Sequence, residues 1–407
     1  MCGLTVAAIL HTIETAQAWM QGLEPFAGVI MGQSGAAKTA TAKLGGRGST
    51  HVAVLFTCIG RRVSLLRSFQ RAAQKLGFDA SFYGTDTCKL SPALQLCDEA
   101  FLVEPTTHAK YIDQLLSIVR GHAVRLLVPT VDLDLPVLAQ HKPRFEELGC
   151  RVLVSDPEVI DTCQDKRRTF GFLRKNGFDA PVTMSVRMAL AADRRGELTW
   201  PCFLKRWDGY ASRDNAIVHS PSEMRFFARR IPNALCQEFI EGTEYTCDAY
   251  VDFGMNVRCI VPRRRIEVRS GEVSKGQVVK HPEIMSQARR VVELLGAGPG
   301  VIALQLFVTK DGRIKFTEIN PRFGGGAPLS IQAGADFPRW ILQELTGGRP
   351  QIGFDDFTDG LMMLRYDAEV WLNDTDLKGT KVDGGSVKCE VGSAMLEQKT
   401  SNFTLET

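Results

Sequence analysis

Between residues 51 and 154, short apolar runs alternate with helical segments, and no other feature of this sequence constrains the fold as strongly. Hydrophobic periodicity predicts helices at Val63–Leu76, 111–120 and 133–148. The apolar runs predict strands at His51–Thr57, 80–84, 101–103, 125–128 and 151–154. Consecutive strands separated by helices pair in parallel, because a parallel connection needs a long crossover. We therefore expect an α/β domain with a doubly wound parallel sheet.

The turn after the first of these strands contains a single glycine, Gly60. A dinucleotide site needs several glycines there so that the backbone can approach the pyrophosphate. We therefore do not expect this domain to bind NAD. The turns at 57–62 and 130–134 follow predicted strands, and the family resemblance given below implies that they border the acceptor site, although ordinary turns explain them equally well.

A second constraint lies at residues 300–326, where two β-prone runs flank Asp311-Gly312. That dipeptide suits the positive φ angles of a two-residue type I′ turn, so we predict a β-hairpin closed by Lys310 and Arg313. Directly opposed residues of a hairpin share one face, with Cβ atoms roughly 5 Å apart. The predicted cross-strand pairs are Phe307 with Phe316, Gln305 with Glu318, and Ala303 with Asn320.

This register places the oxygen-bearing side chains of Gln305, Glu318 and Asn320 on one face, with Arg322 beyond them. Magnesium takes hard oxygen ligands of this kind while phosphate and water fill its other positions. A polar-faced hairpin without a ligand is the alternative interpretation. We favour a metal site because the backbone amides of the adjacent Gly324-Gly325-Gly326 are free to face an anion.

The Gln305 strand followed by Glu318-Ile319-Asn320-Pro321-Arg322 resembles the metal-binding signature of the ATP-grasp superfamily, closest to its carbamoyl-phosphate-synthetase-like branch. The resemblance implies ATP with two Mg2+ ions, or Mn2+ in their place, held by Gln305, Glu318 and Asn320. It also implies that Arg322 stabilises the phosphoryl group during transfer. The implied fold is α/β and α+β, a Rossmann-like pre-ATP-grasp domain followed by a two-subdomain ATP-grasp fold.

Two lysines match the phosphate-gripping lysines of that superfamily by order and context, namely Lys166 at a predicted helix start and Lys205 on a short strand. Strand alternation points Lys205 into a partly covered space, where a lone ammonium is costly without an anionic partner. For Lys166, a solvated surface charge is the alternative. The loop after Lys205 is glycine-rich in the family but has one glycine here, with Ser212 as a candidate phosphate ligand.

The stretch 235–248 resembles the adenine-binding linker of the same superfamily. The resemblance implies that adenine contacts the backbone of Glu238, Phe239 and Ile240, with the Glu238 carbonyl accepting from N6 and the Ile240 amide donating to N1. Glu244 matches the carboxylate that binds the ribose hydroxyls. Taken without the downstream hairpin, a surface strand with exposed glutamates explains these residues equally well.

Arg269 and Lys275 are candidates for a catalytic role. The run 263–269 alternates charged with apolar residues, a pattern more typical of a solvated strand face. Under the resemblance, Arg264, Arg269 or Lys275 would neutralise a substrate carboxylate or the γ-phosphate.

The predicted organisation has five segments. An N-terminal extension and linker (1–49) precedes the pre-ATP-grasp domain (50–155). The ATP-grasp small-subdomain region (156–238), the large subdomain with the metal site (239–350) and a C-terminal segment (351–407) follow. Residues 32–39 nearly spell a P-loop, but Ala37 replaces a required glycine, so we interpret the match as accidental.

The chain has 407 residues with 49 basic and 46 acidic side chains and no lysine-rich stripe, so nucleic acid is not an expected partner. No apolar run reaches the roughly 20 residues that span a bilayer, so a membrane is not expected either. Eleven dispersed cysteines without a C-x-x-C pair indicate reduced thiols in a cytoplasmic protein rather than a disulfide framework. The oligomeric state stays open, with a homodimer as one option.

The ordered residues between 156 and 348 imply an ADP-forming carboxylate–amine ligase that joins small-molecule substrates such as amino acids through an acyl-phosphate. One alternative is a carbamoyl-phosphate-synthetase-like or carboxylase component that activates bicarbonate, against which the sequence shows a single ATP-grasp unit. Another is a non-catalytic ATP-binding module, against which all three metal ligands are in place.

Overall fold

The structure is a computed structural model that describes residues 51–209, 214–269 and 271–382. Three sequence-based interpretations lie outside those residues, namely the extension 1–49 with its P-loop-like stretch, Ser212, and the tail beyond residue 382. No helix within the described ranges is long and apolar enough to cross a membrane.

The first described segment forms a parallel sheet with helices between its strands, as the alternation predicts. Its strands are β1 (His51–Thr57), β2 (Asp79–Asp86), β3 (Glu99–Leu102), β4 (Leu126–Pro129) and β5 (Arg151–Val152). The intervening helices are α1 (Val63–Leu76), α2 (Pro92–Gln95), α3 (Tyr111–Gly121) and α4 (Leu135–Glu146), with a 3-10 turn at Asp132–Asp134. The strand order β3-β2-β1-β4-β5 makes the sheet doubly wound, with β1 and β4 adjacent at its centre.

Strand β1 is buried on both faces because helices cover both sides of the sheet. Val54 and Phe56 enter one apolar core and Ala53 and Leu55 enter the other, which is the period-two alternation of a strand. Helix α1 ends at Gly77, whose φ of 67° is the left-handed conformation that glycine adopts without strain.

Two helices, α5 (Pro157–Gln164) and α6 (Lys166–Lys175), lead from the parallel sheet to a small antiparallel sheet. That sheet has the order β6-β9-β7-β8. Its elements are β6 (Thr183–Ser185), α7 (Val186–Arg194), β7 (Cys202–Arg206), β8 (Ala216–Val218), α8 (Pro221–Ala228) and β9 (Ala234–Glu238). The small sheet packs its own apolar cluster, which includes Cys202, Leu204 and Met224.

A larger antiparallel sheet follows, with the order β14-β13-β10-β11-β12-β15. Its strands are β10 (Gly242–Val251), β11 (Val257–Arg269), β12 (Glu272–Val278), β13 (Gly300–Thr309), β14 (Ile314–Asn320) and β15 (Met362–Leu364), and the accompanying helices are α9 (Pro282–Leu295), α10 (Ala327–Gln332) and α11 (Phe337–Leu345). The last strand, β16 (Thr380–Lys381), returns to pair with β3. The segment after residue 350 therefore contributes one edge strand to each of two sheets.

The β13–β14 hairpin confirms two of the three predicted cross-strand pairs, Gln305 with Glu318 and Ala303 with Asn320. The prediction of a two-residue turn is wrong, because Thr309 N donates to Arg313 O across a three-residue loop. The third pair is also wrong, since Phe316 lies opposite Leu306.

Eight of the described cysteines are free thiols, and seven of these are buried.

Candidate active site

The three sheets border one cavity of about 830 Å³, within the range of small-molecule sites. The loops after β1 and β4, the small sheet, the linker 239–241 and the large sheet all contribute to its lining. Ten of the residues singled out in the sequence line it: Lys166, Lys205, Glu238, Phe239, Ile240, Glu244, Gln305, Glu318, Asn320 and Arg322.

The predicted metal ligands lie on neighbouring strands with their side-chain oxygens uncommitted. Among the described residues, no side-chain group of Gln305, Glu318 or Asn320 hydrogen-bonds to another protein group. Asn320 is nevertheless buried. Buried polar groups normally have partners, so free carboxylate and amide oxygens fit a hard cation such as Mg2+.

Lys205 lies on β7 as a buried side chain without a hydrogen bond or ion pair to the described residues. Its ammonium is 5.9 Å from the centre of the Phe203 ring. Burial lowers the pKa of Lys205 to about 8, while Glu318 raises it and Lys166 lowers it further. An unpaired buried cation is costly, so its position fits a phosphate partner.

Lys166 begins α6 and donates from Nζ to the carbonyl of Gly209. Its backbone amide donates to the Trp207 carbonyl at 3.0 Å. Lys166 therefore holds the loop that follows β7. Ser212 comes directly after this loop in the sequence. The prediction for Ser212 itself lies outside the described residues.

The linker between the two antiparallel sheets offers free backbone groups to the cavity. Residues 239–241 make no backbone hydrogen bonds within the described part of the chain. Phe203, Ile240 and Phe307 add apolar surface beside them. This combination fits an aromatic base that also forms hydrogen bonds, as adenine does.

The side chain of Glu238 is committed to the protein rather than to the cavity. Its Oε1 lies 2.6 Å from Lys315 Nζ, and its backbone amide donates to the Val182 carbonyl. Only its backbone carbonyl is therefore a candidate for adenine recognition, as the sequence argument proposed.

Glu244 faces the cavity from β10 and lies 3.3 Å from Arg265 Nε. Burial raises the pKa of Glu244, Arg265 lowers it and Glu318 raises it. Arg265 thus helps to keep a half-buried carboxylate ionised, in the state that accepts hydrogen bonds from hydroxyl groups.

Arginines and carboxylates from distant parts of the chain form ion pairs at and beside the cavity lining. Arg322 Nη2 lies 2.5 Å from Asp132 Oδ2, and Arg62 Nη1 lies 3.2 Å from Glu272 Oε1. Arg365 joins the same cluster, with Nη1 at 3.1 Å from Glu272 Oε2. We call these five residues the acceptor cluster. Three guanidinium groups against two carboxylates leave an excess positive charge for an anionic substrate group.

Sequence reasoning missed two of the five residues of the acceptor cluster. The predicted turns at 57–62 and 130–134 contain Arg62 and Asp132, but nothing in the sequence singled out Glu272 or Arg365. No local pattern could have done so, because the four residues come from four separate elements.

Arg269 and Lys275 do not reach the cavity, which corrects their assignment as catalytic residues. Both form ion pairs with Glu267 on the β11–β12 hairpin, and their side chains are 73% and 46% exposed. Arg264 donates to Gln277 on the same hairpin. The interpretation as a solvated strand face, noted from the alternation, describes these residues.

Two family models match the chain. Residues 54–153 match a PylC-like N-terminal domain, which is the parallel sheet, and residues 230–364 match an ATP-grasp domain described as belonging to a biosynthetic pathway with the Ter operon. The chain carries an ATP-grasp domain. The match to the ATP-grasp model begins just before the linker 239–241 and includes Glu244 and the β13–β14 hairpin.

One curated relative is similar to part of this chain. Carbamoyl-phosphate synthase of Methanobrevibacter smithii is 24% identical over 161 residues, which are 38% of this chain and 41% of that protein. The chain therefore spans about two fifths of the length of that relative.

Solved structures share the fold at low identity. The biotin carboxylase domain of Hydrogenobacter thermophilus 2-oxoglutarate carboxylase, in complex with MgADP, ADP and bicarbonate, gives a TM-score of 0.59 at 15% identity and covers 76% of this chain and 73% of its own. An L-amino acid ligase from Bacillus licheniformis gives 0.56 at 18% identity, with 72% and 74% covered. These likenesses show that the described residues share the fold of those two chains.

Proposed function

We propose that this protein is an ATP-dependent, ADP-forming carboxylate–amine ligase. The observation that carries the proposal is Lys205, a buried cation without a partner among the described residues, in the same cavity as three oxygen donors that those residues leave uncommitted. A protein that did not bind a phosphate and its metal would leave both sets unsatisfied.

Different groups of lining residues would bind different parts of the substrates. The linker 239–241 would hold adenine, Glu244 the ribose hydroxyls, and Lys166 with Lys205 the phosphates. Gln305, Glu318 and Asn320 would hold Mg2+, which offsets phosphate charge when bound. Arg322 would face the phosphoryl group from the opposite side, at the acceptor cluster.

In the proposed reaction, a substrate carboxylate oxygen forms a bond to the γ-phosphorus of ATP and the bond to ADP breaks. The amine nitrogen of a second substrate then attacks the acyl carbon, phosphate leaves, and the nitrogen gives up a proton. The chain's part is positioning and charge stabilisation, because phosphoryl transfer needs no protein nucleophile. Arg322, with Asp132 holding its Nη2, is the residue placed to stabilise the transferring group.

A second candidate is activation of bicarbonate. The specific observation in its favour is the fold shared with a biotin carboxylase domain whose structure contains bicarbonate, together with the carbamoyl-phosphate synthase relative. The acceptor cluster would bind bicarbonate by the same excess of guanidinium groups, so geometry alone does not separate the two anions.

The test is release of ADP and phosphate from MgATP with a panel of amino-acid pairs in one arm and bicarbonate with ammonia in another. Release that depends on a pair of substrates supports the ligase and names them. Release that depends on bicarbonate replaces the ligase with the second candidate. MgATP binding without turnover in either arm overturns the catalytic proposal in favour of a binding module.

A further inference from the structure

A buried polar network lies where β1 and β4 end, at the centre of the parallel sheet. Thr57 Oγ1 donates to Asp134 Oδ2 at 2.5 Å, and Tyr111 Oη donates to the same oxygen at 3.4 Å. Asp134 is fully buried, and its Oδ1 has no partner among the described residues. The carboxyl ends of neighbouring strands are where doubly wound sheets bind ligands, but here this crevice is filled by the protein's own carboxyl group.

The same network continues to the acceptor cluster through one turn of 3-10 helix. Asp134 is the last residue of that turn, and Asp132 is its first. Asp132 is fixed from three directions, because Gln164 Nε2 donates to its carbonyl at 2.7 Å, Arg322 binds its carboxylate, and the turn itself ties it to Asp134. The 3-10 turn therefore connects Asp134 to the carboxylate that binds Arg322.

The preceding residues are held to β1 as well. Thr130 Oγ1 donates to the carbonyls of Thr57 and Cys58, at 3.1 and 2.7 Å. Together with Asp134, these bonds attach both ends of the segment 130–134 to the end of β1. Because buried hydrogen bonds hold both ends of the segment 130–134, it has few alternative conformations.

We propose that Asp134 is a positioning residue, which through Thr57 and the 3-10 turn holds Asp132 where it orients the Arg322 guanidinium toward the cavity. The role of Arg322 rests on the proposed function, whereas the link from Asp134 to the turn does not.

The geometry also makes this link sensitive to pH. Burial raises the pKa of Asp134 to about 7; the Thr57 hydrogen bond lowers it, Asp132 raises it, and the Tyr111 hydrogen bond lowers it. Two other titratable groups contact this network. One is the Cys58 thiol. Burial and the nearby Asp134 raise its pKa well above its usual value, so the thiol stays neutral near pH 7. Tyr111 also stays neutral, because burial and Asp134 raise its pKa.

Both donors converge on one oxygen of Asp134, which favours its ionised form. Burial disfavours the ionised carboxylate by more than these bonds favour it, which is why the pKa is raised. The closed turn therefore binds a proton more tightly than an open, solvated turn would, so it should loosen as the pH rises through about 7.

Hydrogen exchange of the amides in residues 130–136 tests the link on the full chain without any substrate. After correction for the intrinsic pH dependence, we expect protection in the wild type to fall about tenfold between pH 6 and pH 8. Asp134→Asn keeps the shape without the charge, so its protection should not change between these pH values. Thr57→Val removes a donor to the carboxylate and should lower protection most at pH 8, whereas the matched Thr57→Ser, which keeps the donor, should resemble the wild type. Equal protection in all four proteins at both pH values overturns the link.

The catalytic half is tested by MgATP-dependent ADP release with whichever substrate arm of the panel is active. We expect Asp134→Asn to flatten the dependence of kcat on pH between 6 and 8, and Thr57→Val to lower kcat about tenfold at pH 8, while KM for ATP stays within twofold in both variants. If exchange responds as expected but the kcat profile matches the wild type, the turn is structural only and the positioning role is wrong. If neither arm turns over, the proposed function fails, while exchange still decides the link between Asp134 and the turn.

Discussion

Gln305 lies directly opposite Glu318 on neighbouring antiparallel strands, although the hairpin that joins them departs twice from regular pairing. The three-residue loop, in which Gly312 has a φ of 81°, shifts the register by one residue from that of a two-residue turn. A bulge between Gln305 and Leu306 shifts it back. The two shifts cancel, so the oxygen donors meet.

Glu318→Gln should abolish magnesium-dependent ATP turnover, because it removes the negative charge from the three-oxygen set while keeping its shape. We expect at least about a 100-fold loss of ADP release at saturating ATP, with an unchanged melting temperature. The exposed Glu283→Gln on α9 is the matched control and should behave as the wild type. Normal turnover in both Glu318→Gln and Asn320→Ala would refute the metal assignment.

The affinity for MgATP should depend on pH through Lys205. Its ammonium is protonated below a pKa of about 8, so calorimetric affinity should be highest below pH 8 and should fall as the pH rises through 8. Lys205→Arg keeps its charge at high pH and should remove this decline. Lys205→Met should weaken binding about 10- to 100-fold at pH 7. A pH-independent affinity in the wild type would contradict the role given to this lysine.

Arg269→Ala and Lys275→Ala should leave kcat/KM within about twofold of the wild type, because exposed ion pairs contribute little and neither side chain reaches the cavity. Arg322→Lys should lower kcat about 10- to 100-fold, since an ammonium cannot replace the planar guanidinium. Steady-state kinetics on the three variants checks the contrast. A tenfold loss in either of the first two would restore them to the site.

Asp248→Asn should destabilise the fold strongly. Its carboxylate makes two bonds with Arg263, at 2.7 and 2.9 Å, and both residues are buried. Removing one partner of a buried pair leaves an uncompensated charge, so urea unfolding should show a loss of about 3–5 kcal/mol. Glu293→Gln breaks an exposed pair with Arg289 on α9 and should cost less than about 1 kcal/mol. Similar losses in both variants would mean that burial of the first pair does not matter.

Local pattern was sufficient to predict the elements that depend on neighbouring residues. Helix α1 has the predicted bounds and ends at Gly77, and β1 has the predicted bounds as well, because capping and hydrophobic periodicity act over a few residues. The pairing of Gln305 with Glu318 was also predicted, although from a turn that the structure does not contain. The roles of the nucleotide-binding and metal-binding residues remain predictions that the experiments above address.

Tertiary structure alone decided which charged residues share the cavity. Arg269 and Arg365 are both arginines next to strand ends, yet the first pairs with Glu267 at the surface and the second joins Glu272 and Gly325 beside the cavity. The sequence determined the parallel sheet, the two lysines and the oxygen donors, because each is encoded in one continuous stretch. The acceptor cluster and the Asp134 network depend on contacts between residues far apart in the chain, and such contacts are set by how sheets pack rather than by local sequence.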